Sequence, residues 1–207
     1  MPNQKSQGEQ WTHPSFATIA RMRRLLQVAG VAIVGLVVFT TASQVGNARS
    51  NPQAESPPDV PDTLQAPAGE QVVLFAHATG SQIYTCQAGA AGRFSWTLNG
   101  PEAELHDRED KVIGSHSAGP TWKLKDGSEV TGKMAAQVDS LDADSIPWLL
   151  VKVESHAGKG LLTNVTTIQR IHTHGGKPPA EGCDASHRDA ESKSKYTADY
   201  YFYAPAK

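Results

Sequence analysis

The chain is poor in the features that mark most recognisable activities. It has no long run of Lys or Arg, and its 19 basic residues face 21 acidic ones, a formal charge of −2. That balance excludes the concentrated positive field of a nucleic-acid footprint. Only 19% of residues are charged, too few for a fully disordered chain, and 18 Gly with 13 Pro fall far below collagen or low-complexity levels. A single apolar run excludes a polytopic membrane protein. No G-x-S-x-G, H-E-x-x-H or P-loop pattern occurs.

What is present begins with that apolar run. Arg21, Arg23 and Arg24 precede Leu25–Phe39, and small residues follow up to Ala48. A positive n-region, a short apolar core and a small-residue cleavage site describe a secretory signal, with cleavage expected after Ala48. The competing reading is an uncleaved membrane anchor over residues 25–45, since a span needs about 20 apolar residues. Both readings keep the positive charges inside and export the remainder, to a periplasmic, secreted or extracellular location. Residues 1–48 carry four basic residues and one acidic residue, so the rest of the chain has a formal charge of −5. That disfavours nucleic acid or an anionic membrane surface as a partner.

Prolines at 52, 57, 58, 61 and 67 mark residues 49–68 as a Pro-rich linker, because such density blocks helix and sheet interiors. The expected domain is 69–207, about the size of one domain with one core. Its two cysteines, Cys86 and Cys183, sit in an oxidising compartment and are expected to pair. The bridge would close a loop of nearly a hundred residues and contribute about 4–5 kcal/mol. A catalytic thiol would need a nearby His and an oxyanion site, which the surroundings of Cys86 do not supply.

Short β-branched and aromatic segments separated by Gly, Pro, Asn or Asp predict strands. Gln71–Ala78 and Gln82–Gln87 flank a turn at Thr79-Gly80-Ser81. Arg93–Leu98 ends at Asn99-Gly100-Pro101, and Ala103–His106 pairs with Lys111–His116. Asp126-Gly127 is a hairpin signal between Thr121–Lys125 and Ser128–Lys133. Asp142–Trp148 fits a helix N-terminus, so a short helix or 3₁₀ turn is expected there. Leu149–Glu154, Val165–Thr173 and Tyr196–Tyr203 complete the strands. The expectation is an all-β sandwich or barrel with one short helical turn and one disulfide.

Several motifs then occur in a familiar order: Gln82-Ile83-Tyr84-x-Cys86, Gly114-x-His116-x-Ala118-Gly119-Pro120-Thr121-Trp122, Ile146-Pro147-Trp148-Leu149-Leu150, Ile168-Gln169-Arg170, Gly182-Cys183 and Tyr196-x-Ala198-Asp199-Tyr200-x-Phe202-Tyr203. With them the chain resembles the secreted family known as domain of unknown function 3455, from about Val60 to Ala204. The resemblance implies an exported all-β domain without established biochemistry. Some fungal relatives carry a malate-dehydrogenase label. A dinucleotide site needs G-x-G-x-x-G between a strand and a helix, and the nearest run here, Gly89-Ala90-Ala91-Gly92, lacks that pattern.

The candidate ligand-binding residues are His116, Trp122, Arg170, His172 and His174. His116 and Trp122 occupy a Gly-Pro segment and can act as base and stacking platform, or as cover for a barrel end. His172-x-His174 would place two imidazoles on one strand face, a chelating spacing, with His116, His156 or Asp199 as a third ligand. The alternative is two solvent-facing residues at a strand end. Arg170 can clamp a carboxylate bidentately or pair internally with Asp199 or Glu154. Trp96, Trp122 and Trp148, with the Tyr196–Tyr203 cluster, can line a groove for carbohydrate or another ring-bearing ligand, although buried aromatics are commonly core; Trp96 and Trp148 are expected to be core, and Trp122 is left open. Asn164-Val165-Thr166 is a glycosylation sequon. No cofactor and no catalytic residue are assigned. The expected function is a non-enzymatic binding module for a ligand or envelope component. The alternatives are a secreted metal-dependent enzyme built on the His cluster and an inhibitor of an extracellular enzyme.

Overall fold

Eight antiparallel strands follow one another around a closed barrel: β1 (Glu70–Ala88), β2 (Phe94–His106), β3 (Val112–Ser117), β4 (Thr121–Leu124), β5 (Glu129–Val138), β6 (Trp148–Ala157), β7 (Thr167–Gly175) and β8 (Glu191–Pro205), with β8 returning to pair with β1. The computed structural model describes residues 55–207. The expected leader and apolar segment lie outside the described residues, and among the described residues no helix is long and apolar enough to cross a membrane. Closure gives every strand a neighbour on both sides along part of its length. The expectation of a sandwich or barrel resolves to a barrel, and its helical content is limited to three-residue 3₁₀ turns at Asp62–Leu64, Ala90–Gly92 and Ala185–His187.

β1 and β2 are longer than their sequence suggests. Gly80 was expected in a turn but lies inside β1, opposite Ala103. A Cβ there would stand 2.1 Å from the Glu102 carbonyl oxygen, so the residue permits close strand approach. Likewise Gly100 and Pro101 lie within β2, next to a register shift at Ile83/Tyr84 of its partner. Asp142–Pro147 forms a turn, not a helix. There the Asp142 carboxylate accepts from the Asp144 amide and the Ser145 hydroxyl, which offers the backbone an alternative to helix.

Alternation along the strands sets two cores. Leu105, Leu124, Val130, Val151, Ile168, Tyr200 and Phe202 point into the barrel with Leu162 and Val165 from the β6–β7 loop. The second core lies outside it. Trp148, Ile171, Tyr201 and Tyr203 face outward, yet they are buried because Val60, Leu64 and Ala66 lie against them. Thus the proline-rich segment is a strap on the barrel wall from at least Val60 onward. Leu64 is fully buried, its carbonyl accepts from Gln169 Nε2 at 2.6 Å, and Gln169 Oε1 accepts from the Tyr203 hydroxyl at 2.6 Å. Strap cover explains why Tyr200 to Tyr203 are buried without interruption: both faces of β8 are dry.

The barrel's upper end carries the β1–β2, β3–β4, β5–β6 and β7–β8 loops, and its lower end carries the other three turns, near Gly69 and Pro205. The Cys86–Cys183 disulfide clasps the long β7–β8 loop to β1 at the upper end.

Candidate functional site

The upper half of the interior is polar. His116 on β3 and Trp122 on β4 are register partners, and their rings stack at 4.4 Å with 11° between planes. The expected surface loop is therefore a hairpin whose side chains turn inward: His116 and Trp122 are 2% and 1% exposed. The Thr121 carbonyl can only accept, so His116 donates to it through Nδ1–H at 2.9 Å. Burial lowers the imidazole pKa to about 3, with the Arg170 charge adding to the effect. His116 is consequently neutral at physiological pH and cannot serve there as a protonated acid.

Tyr200 on β8 meets both rings edge-on, at 5.2 Å from His116 and 5.8 Å from Trp122. Its register partners are Ala76 and Arg170. The half-buried Arg170 donates through Nη2 to the Pro147 carbonyl at 2.8 Å. Neither internal ion pair expected for it forms, since no salt bridge among the described residues includes Arg170. Above this level the Tyr84 hydroxyl donates to the Gly176 carbonyl at 2.8 Å, fixing the start of the β7–β8 loop, which serves as the lid of the upper end. Gly176 itself allows close packing: a Cβ there would lie 2.9 Å from Tyr196 and 3.3 Å from Gln82.

Five buried polar atoms here have no hydrogen-bond partner: Gln82 Nε2, Trp122 Nε1, Arg170 Nε, and the Tyr196 and Tyr200 hydroxyls. The two phenols lie near one another and near the guanidinium without hydrogen bonds of standard geometry. Burial raises both phenol pKa values above their ordinary value, so both remain protonated donors. Buried polar groups in proteins are nearly always partnered, and each one left without a partner costs about 1–3 kcal/mol. A cluster of five in one interior is the unusual feature of the molecule.

His172 and His174 belong elsewhere. A bulge between Ile171 and His174 puts His172 at φ +47° and turns it outward. There its Nδ1 lies 2.9 Å from Asp199 Oδ2, while His77 Nδ1 lies 2.8 Å from Oδ1. This His–Asp–His row is half exposed and orients two imidazoles, with each Nδ1–H donating to the one carboxylate. His174 instead approaches Asp142 at 3.8 Å. The three imidazoles His116, His172 and His174 do not converge, and among the described residues no group of three His, Cys, Asp or Glu is arranged to hold a metal ion.

The tryptophans also separate. Trp122 is inside, Trp148 is under the strap, and the partly exposed Trp96 donates to the Glu181 carbonyl beside the disulfide loop. They share no groove: Trp148 is core as expected, Trp96 is only partly buried against the expectation of core, and Trp122, which the sequence left open, is fully buried. Asn164 is exposed on the β6–β7 loop. Gln82 and Tyr84 were not among the expected site residues, and Tyr196 and Tyr200 entered only as part of an aromatic groove with the tryptophans; the inward spacing Tyr196-x-Ala198-x-Tyr200 was the available signal for a place inside the barrel. At the lower mouth, Leu74, Val112, Ile113, Leu124 and Leu161 line a cleft of about 340 Å³.

No curated protein and no solved structure matches the chain. The model of the family described as "Protein of unknown function (DUF3455)" matches residues 67–204, the whole barrel, and the chain belongs to that family.

Proposed function

We propose that the domain is an exported, non-enzymatic binding module that holds a small polar ligand inside the upper half of its barrel. The observation that carries this reading is the set of five unpartnered polar atoms around Trp122, Arg170 and Tyr200. An eight-stranded barrel is wide enough for packed side chains or for one small ligand. Orphaned donors in such a space are what a bound acceptor would satisfy, and a disulfide-clasped lid suits a site kept from bulk solvent. The disulfide also supports export, since structural bridges persist in oxidising compartments.

The alternative of a His-based metal enzyme is less well supported, because His116 is inside the barrel and neutral while His172 and His174 engage separate carboxylates outside. The test is native mass spectrometry of the full chain, with thermal-shift titration against small acids, sugars and divalent metals. A saturable shift that weakens in Tyr200→Phe supports an interior site. If no bound species and no shift are found across all three classes, the reading is wrong.

A further inference from the structure

We propose that the upper half of the barrel binds a small monovalent anion, of halide or formate size, at Arg170. This rests on the binding reading above and adds the sign of the ligand's charge. Arg170 enters the interior from β7 and is always protonated. Its Nη2 donates to a neutral carbonyl, its Nε has no partner, and the phenol beside it, Tyr200, is itself uncharged, so no counter-charge is supplied. Asp199, on the neighbouring strand, faces outward and is taken by His77 and His172. Burying a cation without a counter-charge is expensive.

The groups around it offer hydrogens. Trp122 Nε1 and Gln82 Nε2 are donors, and Tyr196 and Tyr200 hold their protons. His116, being neutral, neither competes as a cation nor supplies a counter-charge. A second cation would be repelled, and a neutral ligand would leave the guanidinium uncompensated. An anion satisfies the charge and the donors together, with charge-assisted hydrogen bonds of about twice ordinary strength. The stacked His116 and Trp122 rings and the Tyr84 hydrogen bond to Gly176 pack this end of the barrel closely, which favours a ligand of only a few heavy atoms.

The experiment uses the full chain in a sodium gluconate buffer, whose anion is too large for the interior, at constant ionic strength. Chloride, bromide and formate are titrated while the thermal midpoint and tryptophan emission are followed. Each small anion is expected to raise the midpoint saturably, and bromide to quench part of the emission with the same midpoint concentration. Arg170→Gln should weaken binding at least tenfold while circular dichroism is unchanged. Should that variant not fold, Tyr200→Phe is expected to weaken binding several-fold, and bromide anomalous scattering from crystals should place the ion within hydrogen-bond reach of Arg170 Nε. A non-saturating response, or equal affinity in the folded variant, overturns the proposal. A neutral ligand that saturates the interior while small anions leave the midpoint unmoved overturns the anion assignment and leaves the binding module standing. No response to any ligand class overturns both.

Discussion

The barrel half near the Leu124–Glu129 hairpin is filled by Leu105, Leu124, Val130, Leu162, Val165 and Phe202, whereas the half beneath the β7–β8 loop holds Gln82, Tyr84, His116, Trp122, Arg170, Tyr196 and Tyr200. Both halves are shielded from solvent, with Arg170 the one half-buried member. In the lower half the filling side chains are apolar, the buried Ser128 hydroxyl is partnered by Asp126 and the Leu162 amide, and stability follows buried area. In the upper half the same burial carries a penalty, because donors have left water without finding partners. The two halves therefore behave as scaffold and site, and substitutions should separate them.

The largest effects are expected at the clasp and in the scaffold. Removing the disulfide by Cys86→Ser with Cys183→Ser, or by reduction, releases a loop of 97 residues. Urea denaturation should show a loss of about 4–5 kcal/mol on the chain-entropy account. Phe202→Ala, in the lower core, should cost about 3–5 kcal/mol by the same measurement, from lost transfer energy plus the cavity left behind. If Phe202→Ala proved milder than changes among the polar residues above it, the division into scaffold and site would fail.

His116 gives the upper half a pH signature. Its folded pKa, about 3, lies below the ordinary value of 6.5. Between those values the unfolded chain binds a proton that the folded chain refuses, so stability is full above pH 6.5 and falls as pH drops. The slope should approach about 1.4 kcal/mol per pH unit. The exposed carboxylates Asp126, Asp142 and Asp184 have pKa values lowered chiefly by hydroxyl donors from neighbouring serines, so their contribution is lost only below their ordinary value of 3.8. Chemical denaturation at pH 7, 6, 5 and 4.5, compared between the wild type and a His116 variant, separates this imidazole from the histidines outside the barrel. His116→Gln, which does not titrate, should flatten the curve in that range.

Much of the fold was legible because strand alternation and turn chemistry are local. The Asp126-Gly127 hairpin, the aromatic last strand and the paired cysteines all follow from nearest neighbours or compartment. Gly80 and Gly100-Pro101 were misread as turns because a glycine that admits a neighbouring strand looks, in sequence, like one that reverses the chain. The strap was hidden for a different reason. Its burial depends on Leu64 and a few flanking apolar residues meeting Gln169 and Tyr203 more than a hundred positions away. The site was legible only in parts. His116, Trp122 and Arg170 were individually conspicuous, but their convergence is a product of barrel closure, which no local pattern encodes. The same closure divides them from His172 and His174, which a single-residue bulge sends outward.

The smallest expected effect is the most discriminating. Tyr200 and Tyr203 are three residues apart on β8 and both are buried, but only one hydroxyl has a partner. The Tyr203 hydroxyl donates to Gln169 Oε1, within the chain that fastens the strap. Tyr203→Phe strands that acceptor in a dry setting and should cost about 1–3 kcal/mol. The Tyr200 hydroxyl has no partner, so Tyr200→Phe removes a desolvated group without orphaning another. In ligand-free buffer it should change stability by less than about 1 kcal/mol, in the stabilising direction. The two variants delete the same atom from the same strand, so shape and area cancel in the comparison. Under saturating ligand the sign for Tyr200→Phe should reverse, because its hydroxyl then has something to bind. A cost for Tyr200→Phe as large as that for Tyr203→Phe in ligand-free buffer would mean that the upper chamber is satisfied from within, and that it is core like the half below it.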